Sequence, residues 1–316
     1  MENIKLFTHT DLDGIGCAIL AKLAFMDVNI TYCSYNDIDE NVLKFINSKD
    51  YQFYDYVYIT DISIKKETAE VINNCHPEKF KSGFNLNEMF QLLDHHATAL
   101  ELNEYFWCNV QVEENGEKTS GTQLFYNNLL ENEYLKRKNS LDIFVDNVNQ
   151  YDTWLWFTKY KNNTPKMWND LYYVLGKEKF INYVKEKIYK DDFSLDSFAV
   201  QILELEQNKI DNYVKAKDQE IIKREILGKK FGIVFAEFYV SELGNSLCLL
   251  HPELDFIAII NMKGFVSLRS NKKDLNLGQD IAKLFGGGGH FSAAGFSFES
   301  GIQQNVVDSV FKFPMK

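Results

Sequence analysis

Two periods of apolar spacing alternate along the first part of the chain. Residues 4–9 form a short apolar run, read as a strand, that ends in Thr10-Asp11-Leu12-Asp13-Gly14. Residues 14–26 place Ile15, Ile19, Leu20 and Leu23 on one helical face. Residues 30–35 give a second strand, and Asp39 caps a helix through Ile46. A third strand, 56–60, carries Asp61 at its tip, and residues 64–73 are helical. After a polar interval, 75–87, the apolar run Phe90-Gln91-Leu92-Leu93 leads into Asp94-His95-His96. Strands alternating with helices predict a mostly parallel sheet, whose ligands bind outside the carboxyl ends of the strands. Asp11, Asp13, Asp61 and Asp94-His95-His96 all fall at such ends, so they point to a single site.

Residues 120–189 read as largely helical and include the aromatic stretch Tyr151-Asp152-Thr153-Trp154-Leu155-Trp156-Phe157. Trp154, Trp156 and Trp168 read as packing residues, with stacking on bases as the alternative role. Residues 195–227 read as one long charged helix with apolar positions at Ile202, Leu205, Ile210, Val214 and Ile221. The pattern then restarts with a strand at 231–235, a hairpin of 256–260 with 265–269, and a helix at 277–285 before Gly286-Gly287-Gly288-Gly289-His290. The predicted organisation is α/β throughout: a first domain over 1–190, a connector helix within 191–227 and a smaller second domain over 228–316.

Composition narrows the class. The chain has 316 residues, 45% hydrophobic and 25% charged, enough for sizeable cores. A net charge of −11 argues against a long basic groove for nucleic acid, but not against a small nucleotide in a local pocket. The five cysteines have no metal-clip spacing and read as free thiols of a reducing compartment. The N-terminus lacks the pattern of a signal peptide, and no apolar run reaches the roughly 18 residues needed to span a bilayer. A cytoplasmic protein without membrane association is expected.

Five segments can carry chemistry. In His9-Thr10-Asp11-Leu12-Asp13-Gly14, the turn after the strand can converge His9, Asp11 and Asp13, and Gly14 permits close backbone approach. Carboxylates with imidazole suit Mn²⁺ or Mg²⁺; Asp and Gly are equally common as plain turn residues. Asp61 alone would read as a helix cap, and its position among the other strand tips makes it a candidate bridge between two cations. Asp94-His95-His96 would otherwise be a loop with solvated imidazoles. Of the six histidines, His9, His95, His96 and His290 lie in motif-like contexts. Asp146 and Asp152 are both open as a further ligand. The Gly286–Gly289 run with His290, followed by what reads as a small-residue helix start, can form an anion-binding nest, and Arg269 can add a bidentate contact.

Together these segments resemble the DHH/DHHA1 phosphoesterase superfamily, in the order His-x-Asp-x-Asp-Gly, a strand-end Asp, Asp-His-His, a later Asp and Gly-Gly-Gly-His. The resemblance implies a larger α/β domain holding two Mn²⁺ ions, with Mg²⁺ as the alternative, and a smaller domain that binds substrate across a cleft. It implies His9, Asp11, Asp13, Asp61, His95 and a later Asp as metal ligands. Asp94 would orient the histidines, His96 would contact the scissile phosphate, and Asp61 would bridge the cations. Arg269, Gly287, Gly288, Gly289 and His290 would hold substrate. The Tyr-Asp-Thr-Trp context resembles the nanoRNase-B-like branch, which favours Asp152 over Asp146. RecJ-type exonucleases carry additional domains, the membrane-bound cyclic-di-AMP phosphodiesterases carry transmembrane segments, and family II pyrophosphatases carry a Ser-Arg-Lys motif in place of the Gly-rich one.

The implied activity is Mn²⁺-dependent hydrolysis of very short oligoribonucleotides or dinucleotides to mononucleotides. The alternatives are a cyclic mono- or dinucleotide phosphodiesterase of signalling and, from another class, a non-catalytic nucleotide-binding sensor. The expected partner is the short substrate itself, with no long nucleic acid; a homodimer is compatible with the sequence.

Overall fold

A computed structural model describes residues 2–75, 85–298 and 302–311. Most of the polar interval expected at 75–87 lies outside the described residues. The chain divides into two units, Met1–Leu203 and Glu204–Lys316.

The first unit is built on five parallel strands: β1 (Asn3–Thr8), β2 (Asp27–Tyr32), β3 (Tyr56–Thr60), β4 (Phe90–Asp94) and β5 (Cys108–Val110), in spatial order β2-β1-β3-β4-β5. Side-chain alternation splits the sheet between two cores. Ile4 and Leu6 face one core with helix α1 (Leu12–Ala24), whereas Phe7, Val57, Ile59 and Leu92 face the other with α2 (Ile38–Asn47) and α3 (Lys66–Asn73). Burial on both faces is why the central strands read as apolar runs rather than alternating ones. Helix α1 starts two residues earlier than the periodicity suggested, because Asp11 caps it by accepting from the Gly14 amide. Asp39 does not cap α2, which begins after Asp37. Its carboxylate instead accepts from the Lys65 amide and the Thr68 hydroxyl at the start of α3.

A small ribbon, β6 (Glu113–Glu114) with β7 (Glu117–Lys118), precedes four helices: α4 (Gly121–Glu131), α5 (Asn139–Asp152), α6 (Thr164–Leu175) and α7 (Lys177–Lys190). Helices α4, α5 and α7 pack on α1 and α6 packs on α5 and α7, with Phe125, Leu129, Phe144, Leu171 and Phe180 in one core. Three glycines bring α1 and its neighbours close: a Cβ at Gly14 would sit 2.2 Å from the His9 carbonyl, and one at Gly16 2.2 Å from the Thr122 hydroxyl. A Cβ at Gly121 would sit 2.6 Å from Asp61 Cβ.

The expected connector helix is shorter than its charge pattern suggested. It spans α8 (Ser197–Asp218), with the boundary between the units inside it. Ile202 and Leu203 pack on the first unit's core, and Ile210 and Val214 on the second's. Residues 222–226, predicted as the helix end, are instead the edge strand β8 (Ile222–Ile226), paired antiparallel to β9 (Lys229–Phe235). The two-residue turn Leu227-Gly228, with φ of 50° and 74°, closes this hairpin. The second unit continues with α9 (Val240–Leu250), β10 (Phe256–Asn261), β11 (Phe265–Arg269), β12 (Gly288–Gly289), β13 (Ala293–Ser297) and α10 (Ile302–Phe311), its sheet ordered β12-β13-β11-β10-β9-β8. The helix expected at 277–285 is a wide turn, Leu277–Ile281, followed by a tight one, Ala282–Phe285. The predicted helix start after His290 is β13, held by pairing to β11.

Candidate active site

The carboxyl ends of β1, β3 and β4 lie side by side in the sheet, so the segments that follow them meet. His9 Nδ1 stands 2.9 Å from Asp11 Oδ2 and 4.0 Å from Asp61 Oδ2. His95 Nε2 faces three carboxylates: Asp61 at 3.3 Å, Asp152 at 3.5 Å and Asp13 at 3.6 Å. Two donor sets therefore form, His9-Asp11-Asp61 and Asp13-Asp61-His95-Asp152, with Asp61 common to both. Asp152 arrives as the last residue of α5. Asp146, the other candidate, does not join the cluster: it accepts from Gln150 one turn along the same helix.

The frame holds these groups by specific bonds. Both oxygens of Asp13 accept amide protons from the start of α4, Gly121 at 2.7 Å and Thr122 at 2.8 Å. Asp61 takes a left-handed backbone, φ 56°, an uncommon and costly choice for a residue with a Cβ. Asp94, fully buried, accepts from the His95 amide and His96 Nδ1, both at 2.8 Å, on one oxygen, and from the Ser63 hydroxyl at 2.5 Å on the other. An acceptor so occupied positions its neighbours. Because a carboxylate only accepts, Nδ1 of His96 carries a proton and Nε2 is directed outward, where the Tyr35 hydroxyl meets it at 3.0 Å. Tyr35, Ser63, Gly121 and Thr122 were not singled out from the sequence. The small polar run Thr119-Ser120-Gly121-Thr122 was the signal available for the last two.

Protonation follows burial and crowding. Burial pushes the Asp61 carboxyl well above its usual range, with Asp13 and Asp11 adding to the shift. Asp152 is raised to about 8, first by burial and then by Asp13 and Asp11. For Asp94 burial opposes ionisation, but the hydrogen bond and charge of His96 and the Ser63 bond outweigh it and hold the group low. Asp11 is likewise lowered, its burial outweighed by His9 and the Gly14 amide. His96 is raised, chiefly by its bond to Asp94.

The donor set fits divalent cations. His9 Nδ1, Asp61 Oδ2 and His95 Nε2 are buried without a hydrogen-bond partner, and all three lie in this cluster. Crowded carboxylates with two imidazoles and no thiolate suit hard, oxygen-preferring ions. A bound cation would also offset the repulsion among Asp11, Asp13, Asp61 and Asp152.

No family model matches the chain. Over 312 residues it is 39% identical to oligoribonuclease NrnB of Bacillus subtilis (strain 168), covering 97% of this chain and 76% of that protein. The chain belongs to the DHH/DHHA1 phosphoesterase family, on its NrnB-like branch. This DHH phosphoesterase is therefore an enzyme of phosphodiester hydrolysis. It is also 24% identical, over 340 residues and 93% of its length, to a 3′,5′-cyclic-nucleotide phosphodiesterase of Helicobacter pylori, 92% of which is covered. Two solved structures share the fold. The pGpG-specific phosphodiesterase PggH of Vibrio cholerae has a TM-score of 0.52 at 13% identity, with 98% of each chain covered. Exonuclease RecJ bound to manganese has 0.53 at 14%, covering 99% of this chain and 91% of that one.

The second unit's expected residues lie near one another but are differently occupied. Arg269 on β11 pairs in register with Ala293, and its guanidinium donates to the Leu268 carbonyl and the Ser241 hydroxyl. The amides of Gly286, Gly287 and His290 are bonded to the carbonyls of Lys283, Ala282 and Ala293. Gly288 and Gly289 pair with Gly295 and Ala294. The glycine run is thus a folded strand and turn, not the open nest of free amides that was expected. Glycine is required there for space, since a Cβ at Gly287 would lie 2.1 Å from the Gly295 carbonyl. His290 remains exposed. Of the tryptophans, Trp168 is a core residue stacked 4.2 Å from Phe193, and Trp156 is 7% exposed; Trp154 is 60% exposed. Among the described residues no helix is long and apolar enough to cross a membrane.

Gly121→Ala tests how tightly the frame holds the site. The added methyl meets Asp61 Cβ and Cα at 2.6 and 2.8 Å, so Asp61 must move. Activity should fall ~10²-fold, the cost of a displacement near 1 Å, while far-UV circular dichroism stays that of the parent.

Proposed function

We propose that this enzyme hydrolyses very short oligoribonucleotides and dinucleotides to mononucleotides with two Mn²⁺ ions. The observation that carries the reading is the buried Asp61, whose two oxygens face His9 and His95, each beside further carboxylates. His9, Asp11 and Asp61 would hold one cation, and Asp13, Asp61, His95 and Asp152 the other. When bound, such cations polarise the phosphoryl group and bring a water to nucleophilic form at neutral pH. The remaining residues serve geometry and charge. Asp94 fixes His96 through Nδ1 and turns Nε2 toward the position of the scissile phosphate. Tyr35, bonded to that same nitrogen, yields to the substrate. The amides of Gly121 and Thr122 hold both oxygens of Asp13 in a fixed orientation.

In this reading Arg269, the Gly287–Gly289 strand-turn and His290 hold a non-scissile phosphate. With three of the segment's amides spent internally, the contact rests on the exposed His290 imidazole and the Arg269 guanidinium. His290→Ala is expected to raise KM for a linear dinucleotide ~10-fold with the effect on kcat much smaller, as steady-state kinetics would show.

The likeness to a cyclic-nucleotide phosphodiesterase favours a second reading, hydrolysis of a cyclic nucleotide. A panel of cyclic dinucleotides, RNAs of two to five residues and phosphoadenosine phosphate, each with Mn²⁺, separates the two. The favoured reading requires linear dinucleotides such as pApA to give the highest kcat/KM. Higher turnover of a cyclic substrate would replace it. Binding without turnover of any of them would leave the non-catalytic sensor.

A further inference from the structure

We propose that Trp154 is the nucleobase platform of this site, the ring on which the base of the nucleotide at the cation cluster stacks. The inference rests on the reading of the cluster as a nucleotide-hydrolysing centre.

Helix α5 ends at Asp152, and the chain then turns sharply. Thr153 closes the helix, its amide and hydroxyl both donating to the Asn149 carbonyl. Trp154 follows with φ 61°, in the left-handed region. Strained non-glycine backbone persists where its surroundings fix it and is concentrated at functional positions. Here it is fixed on both sides. The Trp154 amide donates to the Tyr151 carbonyl, and the Trp154 carbonyl accepts from the amides of Phe157 and Thr158 and from the Thr158 hydroxyl.

The strain is not offset by burial. Trp107, Trp156 and Trp168 are 4%, 7% and 2% exposed, whereas Trp154 is 60% exposed. Its ring ends a ladder: Tyr151 stacks on Trp156 at 6.4 Å and 15°, and Trp156 stacks on Trp154 at 5.7 Å and 28°. Phe157 meets Trp154 edge-on at 6.4 Å. The ladder braces the indole in one orientation and leaves most of it open, which is what a stacking surface requires. Trp154 Cα lies within about 7.6 Å of Asp152 Cα, two trans peptides away. Asp152 in turn reaches His95 Nε2 at 3.5 Å. The backbone anchor of the indole thus lies close enough to the cluster for the ring to meet the base of a nucleotide whose phosphate sits there. Every base has a π-face, so such a platform tolerates sequence, and purines gain the most from it.

The test uses Trp154→Phe and Trp154→Ala with pApA, with the same backbone lacking bases, and with AMP. In wild-type protein AMP should quench the emission of the one strongly exposed tryptophan, and Trp154→Phe should lose that quenching. Trp154→Ala should raise KM for pApA by ~10- to 100-fold, with the change in KM rather than kcat, and Trp154→Phe should restore most of it. The loss on pApA should exceed the loss on the abasic backbone about tenfold or more. Equal losses on both substrates, or unchanged AMP quenching in Trp154→Phe, would overturn the proposal. If wild-type protein hydrolyses neither substrate, the functional reading fails by itself; the platform then stands or falls on AMP quenching.

Discussion

Asp61→Asn is expected to lower hydrolysis of pApA at least ~10³-fold and to weaken both cation sites at once. The substitution keeps the size and one acceptor oxygen of the side chain but removes its charge. That charge is common to both donor sets, with Asp61 Oδ1 3.3 Å from His95 Nε2 and Oδ2 4.0 Å from His9 Nδ1. Asp11→Asn, by contrast, touches only the His9 set, so one site should survive. Titration of the metal-free protein with Mn²⁺, read by calorimetry or by the paramagnetic signal of free ion, separates the cases. Wild-type-like turnover of a metal-replete Asp61→Asn protein would remove the shared-carboxylate reading.

In metal-free protein, raising the pH from about 5 to 8 should lower the midpoint of thermal unfolding by several degrees, and Mn²⁺ should reverse the loss. The sign follows from the direction of the shifts. Asp152 titrates at about 8 in the folded chain against a usual 3.8, and Asp61 is raised well above the same value. Between those limits the folded state keeps protons that the unfolded chain releases, so stability declines as pH rises. Below the lower limit both states are protonated and these groups contribute nothing. Asp11 and Asp94 act in the opposite sense, because their lowered values give stability above the ordinary carboxylate range that is lost in acid. The metal-free protein should therefore be most stable in mildly acid solution. A cation at about 100 times its Kd adds ~2.7 kcal/mol and should move that optimum toward neutral pH. Thermal scans with and without chelator across this range check it; a flat or rising profile in chelator would contradict the assigned crowding.

Much of the candidate cluster was legible because its residues are local to strand ends. A strand tip followed by Asp or His needs only the βα alternation to place it, and His9, Asp11, Asp13, Asp61 and His95 all follow that rule. The second unit was less legible. The edge strand 222–226 continues the charged character of the helix before it, so composition could not mark where α8 stops; the Leu227-Gly228 turn was the better signal. Four consecutive glycines suggested free amides, yet tertiary pairing with Ala294 and Gly295 consumed the segment.

The sequence by itself determined the alternation of strands and helices, the family motifs and the residue types able to hold hard cations, because these depend on periodicity and chemistry within short segments. Only the tertiary structure set Asp152 beside His95 and left Asp146 bonded to Gln150, although the two stand six positions apart in sequence on one helix. It also supplied the partners that no local pattern contains. Gly121 and Thr122 clasp Asp13 from 108 and 109 residues away. Tyr35 meets His96 across 61. Contacts of that separation follow from how helices pack on the sheet, and a linear pattern does not encode which distant amide will face a given carboxylate.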